Sequence, residues 1–178
     1  MSASTQTKEN STLESCYEWV SLLIAALISV VVIFALFFRV VAVSGDSMKN
    51  TLQNGDRLVL ITQLYAIERG DIIVVTRAGE EPYIKRVIAV AGDTIDIDDE
   101  SGCVLINGET IIEDYVLGGF TPSFGFEGPY TVREGEIFAM GDNRSDSLDC
   151  RQLGVFYTDD VAGEVALRLF PFDTVGLI

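Results

Sequence analysis

The chain has 178 residues, enough for one domain and an anchor. It carries 27 acidic against 12 basic residues, a formal charge of −15, which excludes the basic surface that nucleic acids need and tight electrostatic adsorption to anionic lipid. It has no histidine, which rules out HExxH-type zinc hydrolases and every histidine-dependent catalytic triad.

The first element is a tail, residues 1–18, in which Lys8 faces Glu9, Glu14 and Glu18. Residues 19–38, WVSLLIAALISVVVIFALFF, follow without a charge. Twenty helical residues span roughly 30 Å, the thickness of a bilayer's hydrocarbon core, so one transmembrane helix is expected. Tyr17 and Trp19 suit one interface and Arg39 the other. A buried core helix this uniformly apolar would need a larger protein around it. A cleaved signal peptide is the other alternative, since AVS at 42–44 has small-x-small form, but the apolar run is longer than an h-region and its flank is acidic. The tail's charge does not favour an inward N-terminus by the positive-inside rule.

Residues 39–178 form the expected second domain, and it reads as β-rich. Strand patterns fall at 57–61, 71–76, 83–91, 94–98, 103–106, 136–140 and 164–170, where short Val- and Ile-rich runs lie between turn residues. Asn107-Gly108 signals a two-residue hairpin, and Gly55-Asp56, Gly70-Asp71 and Gly92-Asp93 mark further turns. The Gly- and aromatic-rich segment 117–131 is expected to be a long loop or lip that touches lipid or substrate. Cys16, Cys103 and Cys150 have no metal-ligand spacing, no metal or organic cofactor is implied, and Cys103–Cys150 is the one conceivable disulfide.

The stretch VSGDSMKNTL, residues 43–52, is built to present Ser47. Without histidine, a reactive serine needs another base. The chain has three lysines, Lys8, Lys49 and Lys85. Lys8 lies before the membrane helix, and Lys49 in a loop points to solvent. Lys85 sits inside an apolar strand, sharing a face with Val87 and Ala89. Buried there without a carboxylate partner, its amine would lose its proton readily and could accept one from Ser47. The other reading is a lysine that snorkels from a strand edge to water.

Four stretches lie in order behind one membrane helix: SGDSMKNTLQNGDRLVL, RGDIIVV, YIKRVIAVAGDTI and GDNRSDSLDCR. Together they resemble the sequence boxes of the bacterial type I signal peptidases, membrane-anchored Ser–Lys endopeptidases that remove signal peptides. The resemblance runs from residue 19 nearly to the C-terminus. It implies a mainly β fold, an antiparallel β-sheet catalytic domain of signal peptidase type behind one N-terminal transmembrane helix. It implies Ser47 as nucleophile, Lys85 as general base and Ser147 as the hydroxyl that orients the lysine amine. Asp142, Asn143, Arg144, Asp149 and Arg151 would be a supporting polar framework, with an Asp–Arg pair under the loop. By the same resemblance the protein is single-pass in the plasma membrane, with its tail inside and its catalytic domain outside the cytoplasm. Its partners would be preprotein substrates with small residues at −3 and −1, and membrane lipid, but no nucleic acid.

Departures accompany the resemblance. Asn50 stands where the family usually has proline, Gly45 where some members place an oxyanion-hole serine, and Cys150 where serine is frequent. Residues 94–140, 47 in number, leave little room for an extra subdomain and suggest the minimal Gram-positive form. Two alternatives accompany this reading: a noncatalytic signal peptidase-like pilus-assembly factor, and a specialised peptidase with few dedicated substrates. Ser–Lys self-cleaving repressors are excluded, because they need a DNA-binding domain and no anchor.

Overall fold

The computed structural model describes residues 3–63 and 66–178. Two compact units result, Met1–Phe38 and Arg39–Ile178. The first is a single helix, α1, Ala3–Phe37. Its portion Tyr17–Phe37 is long and apolar enough to cross a membrane, and none of that window is buried by protein. The tail expected ahead of the apolar run is therefore helical from Ala3. No Gly or Pro interrupts it, so nothing stops the helix from extending upstream. At the other end Phe38 opens a strand instead of closing the helix, because FRVVA is aromatic and β-branched.

The second unit is mainly β. Its strands are β1 (Phe38–Ala42), β2 (Arg57–Ile61), β3 (Ile72–Val75), β4 (Tyr83–Ala89), β5 (Thr94–Asp98), β6 (Cys103–Ile106), β7 (Glu109–Thr110), β8 (Tyr130–Thr131), β9 (Glu136–Met140), β10 (Phe156–Tyr157), β11 (Val161–Phe170) and β12 (Gly176–Leu177). A short helix, α2 (Cys150–Leu153), follows Asp149, whose side chain caps its first turn. All seven runs expected as strands are strands. β7 is the second arm of the hairpin expected at Asn107-Gly108, and β1, β8, β10, β12 and α2 are additions. The larger sheet has the order β1-β2-β11-β3-β4-β9-β10, with β12 also on β11; the smaller is β7-β6-β5-β8. The pairings from β2 onward are antiparallel. Asn107 and Gly108 take φ of 55° and 84°, as the tight hairpin between β6 and β7 requires.

Two apolar clusters hold this unit. One joins both sheets through Ile73, Val87, Ile95, Val104, Phe138 and Phe156. The other gathers Val43, Met48, Leu52, Leu58, Leu60, Ile72, Val74 and Val165. The phenylalanine rings of 117–131 make contacts within the domain, while Phe120 and Phe124 keep 45% and 43% exposure. Phe126 meets Phe138 edge-on at 5.0 Å, Phe124 lies under the Arg151 guanidinium, and Phe120 covers Gly102 so closely that a Cβ there would overlap the ring. Cys103 and Cys150 are both free thiols, so the conceivable disulfide does not form.

The second cluster explains the loop between β1 and β2. Val43 N–H donates to the Asp56 carbonyl at 2.8 Å and Gly55 N–H to the Val43 carbonyl at 2.9 Å, which closes the loop at its base. Met48 and Leu52, 1% and 0% exposed, anchor its middle in the core and leave Ser47 at the rim. Asn50 has a φ of 90°, a value proline's ring forbids. Asn50→Pro is therefore expected to lower stability by more than about 1 kcal/mol, whereas Asn50→Gly stays within about 1 kcal/mol of wild type. Thermal unfolding of the detergent-solubilised chain followed by circular dichroism measures both; a proline variant as stable as wild type would contradict this loop conformation.

Candidate active site

The loop between β1 and β2 and strand β4 bring Ser47 and Lys85 together. Lys85 Nζ donates to Ser47 Oγ at 2.8 Å. The lysine is 3% exposed, on the face of β4 that carries Val87 and Ala89 into the core. It does not snorkel to water. Burial pulls its pKa down from 10.5 to about 8; Asp149 opposes the shift and Arg151 assists it. The amine thus loses its proton far more readily than an exposed lysine. Lys49, by contrast, makes an exposed ion pair with Asp46 at 2.7 Å.

Residues 141–151 supply the floor. Asn143 N–H donates to the Ser47 carbonyl at 2.9 Å and its side-chain amide to the Asp46 carbonyl at 3.2 Å, clamping the peptides on both sides of Ser47. Asp142 is bound by the Arg86 guanidinium through two bonds of 2.9 and 2.7 Å, and it accepts the Thr51 hydroxyl at 2.5 Å. Asp149 and Arg151 form a fully buried two-pronged pair with both bonds at 2.8 Å. Burial alone would raise the Asp149 pKa, but the Arg151 guanidinium and the Gly141 N–H outweigh it and hold the carboxyl below its ordinary value. Arg144, 0% exposed, grips Glu113 with bonds of 2.9 and 2.5 Å and donates to Thr121 at 2.6 Å. The region therefore holds three two-pronged arginine–carboxylate pairs.

Ser147 is buried beside Asp149, and its Oγ has no partner of hydrogen-bonding geometry. The bond from Ser147 to the lysine amine expected from the sequence is not formed here. Gly141 explains the close approach. A Cβ on it would overlap both the Ser47 carbonyl oxygen and Ser147 Oγ, so a side chain there would force the nucleophile loop away from the 141–151 segment. Cys150 accepts the Ala139 N–H at 3.2 Å, and burial pushes its thiol pKa up to about 12.

The sequence points to eight residues here, with Lys85 beside Ser47 and an Asp–Arg pair among the rest, but not to Arg86, Thr51, Glu113 or Thr121. Arg86 offered a signal, as a second cation next to Lys85 in an apolar strand that would need an acid once buried. Thr51, Glu113 and Thr121 offered none, because each meets its partner only through the fold. Among the described residues no cluster of His, Cys, Asp and Glu could hold a metal ion.

A mainly antiparallel β domain that offers a serine hydroxyl to a buried amine of low pKa has the chemical equipment of a serine endopeptidase. Residues 16–170 match the family model described as signal peptidase, peptidase S26, and the chain belongs to that family. It is 34% identical to signal peptidase I of Bacillus licheniformis, over 96% of this chain and 97% of that one. It is 33% identical to signal peptidase I P of Bacillus subtilis subsp. natto, over 94% and 96%. A solved signal peptidase I from Enterococcus faecalis V583 aligns with a TM-score of 0.49 and 29% identity, over 57% of this chain and 98% of that one. The protein is a serine endopeptidase of the signal peptidase I type, and signal peptide removal is its reaction.

Two predictions follow from the geometry. Folded Lys85 gives up its proton near pH 8, whereas the unfolded side chain keeps it to 10.5. Between those values the unfolded chain binds more protons, so stability rises with pH through that window and is lowest below it. Lys85→Met removes the group, so its stability relative to wild type should be greatest at pH 6.5 and smaller at pH 9.5. Urea unfolding at both pH values tests this, and an equal difference at both would mean an ordinary lysine pKa. Gly141→Ala should remain folded yet cleave a preprotein about 10–100-fold more slowly, because it shifts the nucleophile. Undiminished turnover would show that the loop has slack.

Proposed function

We propose that the reaction runs through a Ser47–Lys85 dyad, and the observation that carries this is the 2.8 Å bond between Ser47 Oγ and a buried amine of pKa about 8. Neutral Lys85 takes the Ser47 proton as Oγ attacks the scissile carbonyl. The Ser47 backbone N–H has no acceptor among the described residues and can receive the developing oxyanion together with a second donor. Protonated Lys85 then passes its proton to the leaving amine, and the signal peptide remains as an ester on Ser47. A water deprotonated by Lys85 hydrolyses that ester. Asn143 and the Asp142–Arg86 and Asp149–Arg151 pairs hold the two reacting groups in place. Ser147, buried beside Asp149, would orient the amine.

A groove supports the choice of substrate. It encloses about 430 Å³ and is lined by Val41, Ala42, Ser44, Leu60, Val74 and Ile84 among others. β1 and β4 both contribute although three strands separate them in the sheet, so the sheet curls to make it. Ser44 and Ile84 bring the groove to within three residues of Ser47 and one of Lys85 along the chain. An extended peptide laid there as an added strand would present alternate side chains, those at −1 and −3, to the same shallow apolar wall. Such a wall accepts small side chains and excludes large ones. The segment Tyr17–Phe37 anchors the protein in the membrane, with the preceding residues in the cytoplasm and residues 39–178 outside.

The test is incubation of the detergent-solubilised protein with a preprotein, beside folded Ser47→Ala and Lys85→Ala. Wild type should cleave after the small −1 residue and both variants should lose at least about 10³-fold in rate. A large residue at −1 should abolish cleavage. A Lys85→Ala variant of full activity would dismiss the dyad. A wild type inert on several preproteins would instead favour the specialised peptidase or the assembly factor.

A further inference from the structure

The loop that bears Ser47 is also held by a residue outside every box that marks the family. Arg168 lies near the end of β11, opposite Leu58 of β2 and Gly176 of β12. Its mostly buried guanidinium reaches the loop at two points. A terminal N–H donates to the Thr51 carbonyl, and Nε, which makes no hydrogen bond, lies 3.2 Å from the Asp56 carboxylate as an ion pair. Asp56 is itself buried, accepts Gln53 N–H at 3.0 Å, and through its carbonyl takes the Val43 N–H that closes the loop. Thr51 carries the restraint onward. Its hydroxyl donates to Asp142 and accepts from Arg86 at 3.3 Å, and Arg86 follows Lys85 in the chain. One cation on β11 thus ties together the base of the loop, the turn four residues after Ser47, and the strand that carries the amine.

We propose that Arg168 is a positioning residue for Ser47, holding the loop between β1 and β2 so that Ser47 Oγ stays in hydrogen-bonding reach of Lys85 Nζ. This inference rests on the Ser47–Lys85 reading above. Arg168 touches no reacting atom and acts through Thr51 and Asp56. A planar guanidinium can serve a carbonyl and a carboxylate at once; a lysine there keeps the charge on Asp56 but offers a single compact donor. When the loop loosens, water reaches Lys85. Burial is the main cause of that lysine's low pKa, so hydration returns it towards 10.5. The groups that face Lys85 are Ser47, Tyr83, Asp142, Asp149, Cys150 and Arg151, and replacing Arg168 removes none of them.

The chain's three lysines make the test direct, since lysine labelled with ¹³C gives three side-chain signals to titrate by NMR. Wild type, Arg168→Met, Arg168→Lys and Arg77→Met are compared in detergent micelles, with cleavage of a preprotein measured on the same samples. Arg77 is the reference, a part-buried arginine whose partners Val155, Phe156 and Asp160 lie away from the loop. In Arg168→Met the Lys85 midpoint should rise from about 8 towards 10.5. Its kcat should fall about 10–100-fold, with KM within roughly threefold of wild type. Arg168→Lys should lie between, and it supplies the measurement if the methionine variant does not fold. Arg77→Met should keep the wild-type midpoint. A Lys85 midpoint and kcat unchanged in the folded Arg168 variants, beside an active wild type, would overturn the positioning role alone. A wild type that does not cleave, but whose Lys85 midpoint still moves on replacing Arg168, would overturn the dyad's proposed chemistry and leave the positioning role standing.

Discussion

The site depends on an amine that is buried and left without a carboxylate of its own. Burying a lysine among acids usually ends in an ion pair, which locks the proton on. Here both acids that act on it already belong to an arginine: Asp142 to Arg86 and Asp149 to Arg151. Each pair joins one positive and one negative side chain, so it sets no net charge beside the amine. Lys85 therefore sits in a polar setting whose charges largely offset one another, and desolvation decides its pKa. Removing Arg86 or Arg151 would do more than loosen the fold, since it would release Asp142 or Asp149 to pair with the amine.

That arrangement also explains why residues 141–151 are so dense in polar groups yet so deeply buried. Asp142, Asn143, Arg144, Asp149 and Arg151 all fall below one tenth exposure. Such groups are costly inside a protein unless every one is satisfied. They are satisfied through backbone as much as through side chains: Asn143 on the Ser47 and Asp46 carbonyls, Arg144 on the Gly141 carbonyl, Arg151 on the Pro122 carbonyl. The network thereby reads out the positions of three separate chain segments. Ser147 is the exception, a buried hydroxyl without a partner, next to the place where the chemistry is proposed.

Much of this was legible in the sequence, for identifiable reasons. The strands from β2 onward that exceed three residues announced themselves by β-branched runs between Gly-Asp turns, and Asn107-Gly108 marked its hairpin. Lys85 stood out because an apolar strand has no use for a charge unless it is functional or at an edge. β1 was hidden because FRVVA continues the apolar composition of the helix before it, and composition cannot show where a helix stops and a strand begins. The two-residue strands carry no period to detect. Arg86 with Asp142 is a contact across 56 positions, and Arg144 with Glu113 one across 31, so only the folded chain makes them neighbours. Arg168 and Thr51 lie 117 positions apart, so they too become neighbours only in the folded chain.

The two free thiols of the β unit have a further consequence. Cys150 is sealed in the core with its pKa near 12, and Cys103 has no partner. Its architecture rests on packing and arginine–carboxylate pairs, so it draws no stability from a cross-link. Folding of this unit should then be indifferent to redox surroundings. It would need no oxidase on the way to its native state, and reducing agents would leave that state intact.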